Sequence, residues 1–322
     1  MTPAISYLGI DVGGTKVALR AEADRVPALE ASFRWPEPGD PAADLAALAD
    51  HVARLLGRWG RTPQAVGVAM PATLDAGGRV LSWPNRPSWT GLDVRAALAG
   101  SVPGAEVRCA DDGDLAAVAE ADAMGCRNVV YLGVGTGIGG GVVADGRPFP
   151  GPERGSCEAG HLVIDRSGPR CDCGRRGCVQ AVASGPAILR RAALARAGRT
   201  RTGRASGPVE PVAYDALRQG WSAKEAWAVD TVREGCAALA AAVTGLCELA
   251  HPEAVVIGGG FADGLPGFAA AVGEEAALLA RPGQAAVPVR PAALGGLSSL
   301  RGAVLLARAA VGGPPRGAEG QA

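Results

Sequence analysis

A chain of 322 residues exceeds what one ordinary hydrophobic core encloses and points to two lobes. Its 32 Lys+Arg residues balance 32 Asp+Glu residues, and this zero formal charge argues against the basic surface that nucleic-acid binding needs. No stretch is apolar enough to span a membrane. Met1–Ser6 lacks the basic region and apolar run of a signal peptide, so the expectation is a cytoplasmic enzyme, although eight cysteines would permit disulfides in a secreted protein.

In chain order, Ile5–Ile10 is an apolar run that ends in Asp11-Val-Gly-Gly-Thr-Lys16, and Val17–Ala21 and Leu29–Phe33 read as further strands. Strand, glycine turn, strand is not the strand-turn-helix of a dinucleotide fold. Ala42–Leu56 has helical periodicity, and Ala65–Met70 is a buried strand stopped by Pro71. Glu106–Ala110 is a short strand, followed by a helix over Asp111–Met124 with three acids in its first turn, where the helix dipole favours them. Asn128–Gly133 and Ile138–Ala144 restart the strand-glycine-strand pattern, as an internal duplication would. Gly185–Ala197 and Ala223–Ala250 read as helices, Thr200–Pro211 as a mobile surface loop, and Ala254–Ile257 as a strand leading into Gly258, Gly259 and Gly260. Leu297–Val311 is a last helix and 312–322 a polar, disordered tail. This alternation predicts an α/β protein with an N-terminal lobe over 1–122 and a C-terminal lobe over 123–296, the last helix packing back on the first lobe.

The segment from His161 to Cys178 carries the most specific chemistry. His161, Cys171, Cys173 and Cys178 are spaced H-x9-C-x-C-x4-C, with Gly174 and Gly177 to let the backbone turn. One imidazole and three thiols suit tetrahedral zinc, and four protein ligands leave no open position, so the metal would be structural. A disulfide pair, unpaired reduced cysteines and a redox pair are the alternatives, the last weakened because Cys171 and Cys173 are too close for Cys-x-x-Cys.

Three glycine turns follow strands. Asp11–Lys16 offers backbone N–H groups and a hydroxyl able to hold phosphate oxygens, although Gly-Gly turns are also ordinary in hairpins. Gly133–Gly141, including Gly135, Thr136 and Gly137, is a second, and Gly258–Gly260 a third. Each alone reads as close backbone packing, but together they read better as one nucleotide site. Asp111, Asp112 and Asp114 head a helix, where capping is the commonest use of such acids. Glu158 and His161, three apart, share one side of a turn.

With these motifs the chain resembles the ROK family of bacterial sugar kinases and sugar-responsive repressors nearly end to end. Asp11–Lys16 is similar to the family's first phosphate motif, Pro84-Asn-Arg-Pro-Ser-Trp-Thr-Gly91 to its Pro-Asn-Leu-Pro-x-Trp segment, and Gly133–Gly141 to its second phosphate loop. Glu158-Ala-Gly-His161 with the three cysteines matches the family's Glu-x-Gly-His and zinc motif, and Gly258–Gly260 its adenosine-side glycines. The resemblance implies an actin-like, ribonuclease-H-like ATPase fold, two lobes acting on a sugar and Mg·ATP, a structural Zn2+, and a homodimer. Family repressors carry a winged helix before the first phosphate motif. Only ten residues precede Asp11 here, so the expectation is a kinase and not a DNA-binding protein. A sugar-sensing regulator without turnover is the reading from another class. Polyphosphate is the alternative donor, which the adenosine-side glycines disfavour.

By the same resemblance, Asp11, Gly13, Gly14, Thr15, Lys16, Gly135, Thr136, Gly137, Gly258, Gly259 and Gly260 bind the nucleotide. Asn85, Asp111, Asp112, Glu158, His161 and Gln180 line the sugar. Asp112 matches the catalytic aspartate of Asn-Asp-Ala-Asn and would accept the proton of the 6-hydroxyl as it attacks the γ-phosphate; at a helix head it is expected to stay ionised. The departures sharpen the substrate. The family asparagine is Asp111, the family glutamate after the last zinc cysteine is Gln180, and the glycine after the strand-ending proline is Ala72. A negative charge is therefore gained beside carbons 3 and 4 and lost beside carbons 1 and 2. An ionised Asp only accepts hydrogen bonds, and an ammonium on carbon 3 would make that a charge-assisted bond. The expectation is 3-amino-3-deoxyglucose (kanosamine), with glucose or another neutral hexose as the alternative.

Overall fold

In the computed structural model the described residues are 5–36, 39–75, 77–151, 155–198, 209–283 and 285–312. Of the expected loop at 200–211 only 209–211 are among them, and of the tail only Gly312; the rest of both lies outside the described residues. The chain divides into two compact units, one of Met1–Arg127, Gly146–Cys157 and Leu297–Ala322, the other of Asn128–Asp145 and Glu158–Gly296.

The first unit starts with strands β1 (Ser6–Val12), β2 (Lys16–Ala23) and β3 (Val26–Arg34), then helix α1 (Pro41–Trp59) and strand β4 (Ala65–Met70). A small hairpin of β5 (Thr73–Leu74) and β6 (Val80–Ser82), helix α2 (Val94–Ser101), strand β7 (Glu106–Asp111) and helix α3 (Asp112–Met124) follow. The main sheet has the order β3-β2-β1-β4-β7. β4 is buried throughout and β1 nearly so, which explains their unbroken apolar runs; edge strand β3 is largely exposed. β1, β4 and β7 are parallel and end together, Asp11 pairing with Ala69 and Met70 with Asp111. Carboxyl ends of parallel strands are where α/β sheets gather ligand-binding groups. Helix α1 begins at Asp40, whose carboxylate accepts from the Ala42 and Ala43 N–H groups, with Pro41 in its first turn, and stops at Gly60 in the left-handed region. Its Leu48, Val52 and Leu55, spaced for one helical face, join the core formed with Leu8, Leu19 and Val66.

The second unit contains β8 (Val129–Val134) and β9 (Ile138–Ala144). After the short β10 (Arg147–Phe149), which belongs to the first unit, come α4 (Val179–Ala183), α5 (Gly185–Arg196), α6 (Tyr214–Ser222) and α7 (Ala226–Ala250). β11 (Ala254–Gly258), α8 (Gly260–Asp263), α9 (Phe268–Leu278) and β12 (Val289–Pro291) complete it. β8 pairs antiparallel with β9 and parallel with β11, repeating the way β1 pairs with β2 and β4 in the first unit. The helix expected over Ala223–Ala250 is shorter. Lys224, at φ 58°, interrupts the helical path and separates α6 from α7. The periodicity on either side is real, but a single left-handed residue ends a helix irrespective of it.

The last helix, α10 (Ser298–Ala310), packs in the first unit against β1, β4 and α3. It approaches to backbone contact. A Cβ on Gly67 would lie 1.9 Å from the Ala303 carbonyl oxygen, and one on Gly302 would lie 2.0 Å from that of Leu115. Arg308 anchors its end through Glu22 (2.9 Å) and Asp24 (3.2 Å), stacked 4.5 Å above the Tyr7 ring.

Candidate active site

In the first unit, the turn after β1 closes with the Gly13 N–H donating to the Lys16 carbonyl at 2.9 Å. Trp35 supports it from below, its indole N–H donating to the Gly13 carbonyl at 2.8 Å. The Pro84–Trp89 segment is brought to the same turn. A Cβ on Gly14 would meet the Asn85 Cβ at 2.9 Å, so glycine is what lets Asn85 lie against the turn. Arg86 fixes this arrangement from inside. Its Nε donates to the Gly14 carbonyl at 3.3 Å, its guanidinium lies 4.8 Å from the Trp35 ring centroid, and another nitrogen pairs with Asp44. Trp89 also donates to Asp44, at 2.9 Å, and Asp44 is fully buried. Asp44→Ala leaves the buried Arg86 charge unpaired and is expected to cost about 3–5 kcal/mol in urea unfolding. Asp44→Ala/Arg86→Leu should recover most of that loss, and equal destabilisation of the single and double variants would show that the pair is not the cause.

Asp11, at the end of β1, has a carboxyl raised to about 7, chiefly by burial, then by the Asp112 charge, with Lys16 opposing. This raised value gives a signed pH dependence. Folded Asp11 holds its proton up to about 7, whereas the ordinary value is 3.8, so its contribution to stability is complete below 3.8 and is lost as pH rises through 7. The loss amounts to about 1.4 kcal/mol per pH unit across that window. Asp11→Asn should therefore melt above wild type at pH 8 in ligand-free protein, with the difference shrinking by pH 5. A constant difference from pH 5 to 8 would show that Asp11 does not titrate this way.

Asp111, Asp112 and Asp114 divide their work. Asp111 is the cap of α3, its Oδ1 accepting from the Gly113 N–H at 2.9 Å and the Asp114 N–H at 3.2 Å. Asp112 opens the helix, close enough to Asp11 for the two charges to interact. Asp114 is buried in the first turn. Asp111 and Asp114 also line a cavity of about 580 Å3 with Ala72, Thr73, Ser156 and Leu306. Asp112 is not in its wall, so this cavity alone does not gather the acids of the predicted site.

In the second unit, the Gly135–Gly137 turn links β8 to β9, with the Gly135 N–H donating to the Gly137 carbonyl at 2.9 Å. Gly258, Gly259 and Gly260 follow the neighbouring strand, and Gly258 pairs in register with Gly133. The Tyr131 ring lies against both, its hydroxyl 2.9 Å from where a Gly258 Cβ would stand. Gly259 is the residue that turns the chain from β11 into α8. Its φ of 94° lies in the region that favours glycine, and a Cβ there would stand 2.5 Å from the Val134 backbone nitrogen. Gly259 is therefore required by the close approach of the two strand ends, and Gly260 opens α8 with open space where its Cβ would be. Two of the three glycine turns are thus brought to adjacent strand ends. Thr136 is exposed at the tip of its turn.

His161 and the three cysteines converge in the same unit. Residues 162–164 run beside 177–179, with the Val179 N–H donating to the Leu162 carbonyl at 2.9 Å and the Ile164 N–H to that of Gly177 at 2.8 Å. This short ladder carries His161, at the end of the 3-10 turn Ala159–His161, to Cys178, and a tight turn folds Cys171 and Cys173 over them. The four ligand atoms lie within 4.8 Å of one another, with Cys173 Sγ 3.6 Å from Cys178 Sγ and Cys171 Sγ 3.6 Å from His161 Nδ1. Burial first, and then the neighbouring Cys173 and Cys171 thiols, raise the Cys178 thiol above its ordinary value. Glu158, three residues before His161, is exposed.

The motif reading passed over the residues that hold these groups in place. Arg86 stands inside the recognised Pro-Asn-Arg-Pro segment, and a buried arginine requires a carboxylate, but nothing in the sequence designates Asp44 as that partner. Tyr214, on the unpredicted α6, donates to the Phe261 carbonyl at 3.0 Å and packs edge-on to its ring just beyond Gly260.

Known proteins share both sequence and fold with this chain. The ROK family model matches residues 7–310. A kanosamine kinase from Amycolatopsis mediterranei is 54% identical over 301 residues, covering 94% of this chain and 95% of the relative. The ROK hexokinase of Thermus thermophilus superposes with a TM-score of 0.80 at 32% identity, over 96% of this chain and 99% of that one. A ROK glucokinase from Streptomyces griseus, solved with glucose and AMPPNP, gives 0.76 at 26% identity over 94% and 99%. The fold is therefore that of the actin-like ATPases, and the chain belongs to the ROK family.

Proposed function

We propose that this enzyme transfers the γ-phosphate of ATP to the 6-hydroxyl of 3-amino-3-deoxyglucose. The observation that carries the reading is the 54% identity with a kanosamine kinase along 94% of the chain. Asp111 supplies its chemical reason. Its Oδ1 caps α3 as an asparagine oxygen would, so the cap does not require a charge, and a carboxylate in place of the amide favours a cationic group on the sugar. Asp112 takes the proton of the attacking hydroxyl. The turns at Gly13–Lys16, Gly135–Gly137 and Gly258–Gly260 are assigned to the nucleotide, and Asn85, Glu158 and His161 to orienting the sugar. Mg2+, when bound, neutralises charge developing on the phosphates. Asp11 fits that ion: it offers hard oxygen ligands, and the neighbouring Asp112 charge, which raises its carboxyl, would be offset by a cation.

The His161, Cys171, Cys173 and Cys178 set fits structural zinc. Tetrahedral bonds of about 2.3 Å to sulfur and 2.0–2.1 Å to nitrogen place two sulfurs about 3.8 Å apart and sulfur about 3.6 Å from nitrogen. The separations here are 3.6 Å and 3.6 Å. The family resemblance adds cytoplasmic location and a homodimer to the proposal, the latter testable by sedimentation.

A phosphorylation panel of glucose, mannose, glucosamine, N-acetylated sugars and kanosamine tests the assignment, with kanosamine expected to have the highest kcat/KM. Preference for glucose would replace the substrate and leave the kinase. No sugar-dependent ADP formation would leave only a sugar-sensing protein. Asp111→Asn is expected to lower kcat/KM for kanosamine about 10-fold or more, the scale of a charged hydrogen bond worth about 1.5–3 kcal/mol, while sparing glucose. The melting temperature should hardly change, because Asn caps as well as Asp. An equal loss on both sugars would remove Asp111 from substrate choice.

A further inference from the structure

Gln180 has a second connection that its place in the sugar-facing motif does not suggest. It sits in the first turn of α4, two residues after Cys178, and its Oε1 accepts from the Ile138 N–H at 3.0 Å. Ile138 is the first residue after the Gly135–Gly137 turn, and a Cβ on Gly137 would lie 2.9 Å from the same Oε1. The side chain therefore packs directly under the turn. A few residues on, the Gly185 N–H opening α5 donates to the Gly135 carbonyl at 2.9 Å, so the 180–185 segment grips both ends of this turn. Ile138 is buried, so without Gln180 its N–H would lose its partner with little water to replace it.

We propose that Gln180 is a positioning residue for the phosphate-holding turn, setting the direction of the Thr136 and Gly137 backbone N–H groups and hence nucleotide affinity. The proposal rests on the reading of that turn as a nucleotide site. Because the Ile138 N–H can only donate, the amide oxygen must face it, which points the –NH2 end of Gln180 away from the turn. A glutamate at this position could still accept from Ile138, whereas leucine, of similar size, could not.

The experiment measures AMPPNP binding by calorimetry, without sugar, to wild type, Gln180→Glu and Gln180→Leu. Amide exchange over the segment containing Ile138 is followed in parallel. Gln180→Leu is expected to weaken AMPPNP about 10-fold, the scale of an unsatisfied buried donor, and to speed exchange at Ile138. Gln180→Glu should stay within about 3-fold of wild type in affinity and keep Ile138 protected. Unchanged AMPPNP affinity in Gln180→Leu overturns the proposal, as does equal weakening in both variants, since that would follow from general loss of packing. If Gln180→Leu does not fold, the Ile138 exchange in Gln180→Glu decides, and loss of protection there counts against the proposal. No AMPPNP binding by wild type would overturn the nucleotide reading itself, and this inference with it.

Discussion

Asp112→Asn is expected to lower kcat by about 10²-fold or more while sugar binding stays near wild type, the usual scale for removing a positioned base. The substitution is nearly isosteric. Asp112 opens α3, but the capping bonds are made by Asp111, so the helix should keep its start. The neighbouring Asp11 provides an internal check. The Asp112 charge helps to raise its carboxyl to about 7, so Asp112→Asn should bring that value down and flatten the pH dependence of stability between pH 5 and 8. Lost turnover together with a flattened profile would identify Asp112 as an ionised group next to Asp11. Near-normal kcat would take the role away from it, and Asp111 or Asp114 would then be the base to test.

Cys173→Ser is expected to reduce bound zinc from one per chain to a small fraction and to lower both stability and sugar affinity. Cys173 is the exposed member of the cluster, whereas Cys178 is fully buried, so the exchange at 173 disturbs packing least and reports on the metal. The effect should be large, because the free energy of binding structural zinc, about 10–16 kcal/mol in small zinc domains, is available only to the folded loop. The ladder joining 162–164 to 177–179 carries both His161 and the Glu158–His161 turn, so a loosened cluster should be felt at the residues proposed to orient the sugar. Chelation of wild type should reproduce the variant, with zinc restoring wild type alone. Well under one zinc per chain in fresh, active protein would show that the cluster does its work without the metal.

How much was legible in the residues differs with the kind of feature. The buried strands at Ser6–Val12, Ala65–Met70 and Ala254–Gly258 were apparent because burial on both faces demands an unbroken apolar run, which is a local property. The His161–Cys178 spacing was equally local, since four ligands within 18 residues can meet around one centre with only short turns between them. The left-handed step at Lys224 was not visible, because residues other than glycine rarely take it and neighbouring periodicity does not announce it.

The roles of acids and amides depended on contacts made through space. Composition and motif register determined that this chain is an α/β protein with a cysteine-histidine centre, three glycine turns and an acid-rich helix head. Only the tertiary structure decided that Asp111 spends one oxygen on the cap, that Asp44 neutralises Arg86 from 42 residues away, and that Gln180 reaches Ile138 across the same separation in sequence. Local patterns encode backbone geometry because their interactions close within a few residues. A buried charge or donor needs one partner of the right sign and reach, and which residue provides it is settled when distant segments pack together.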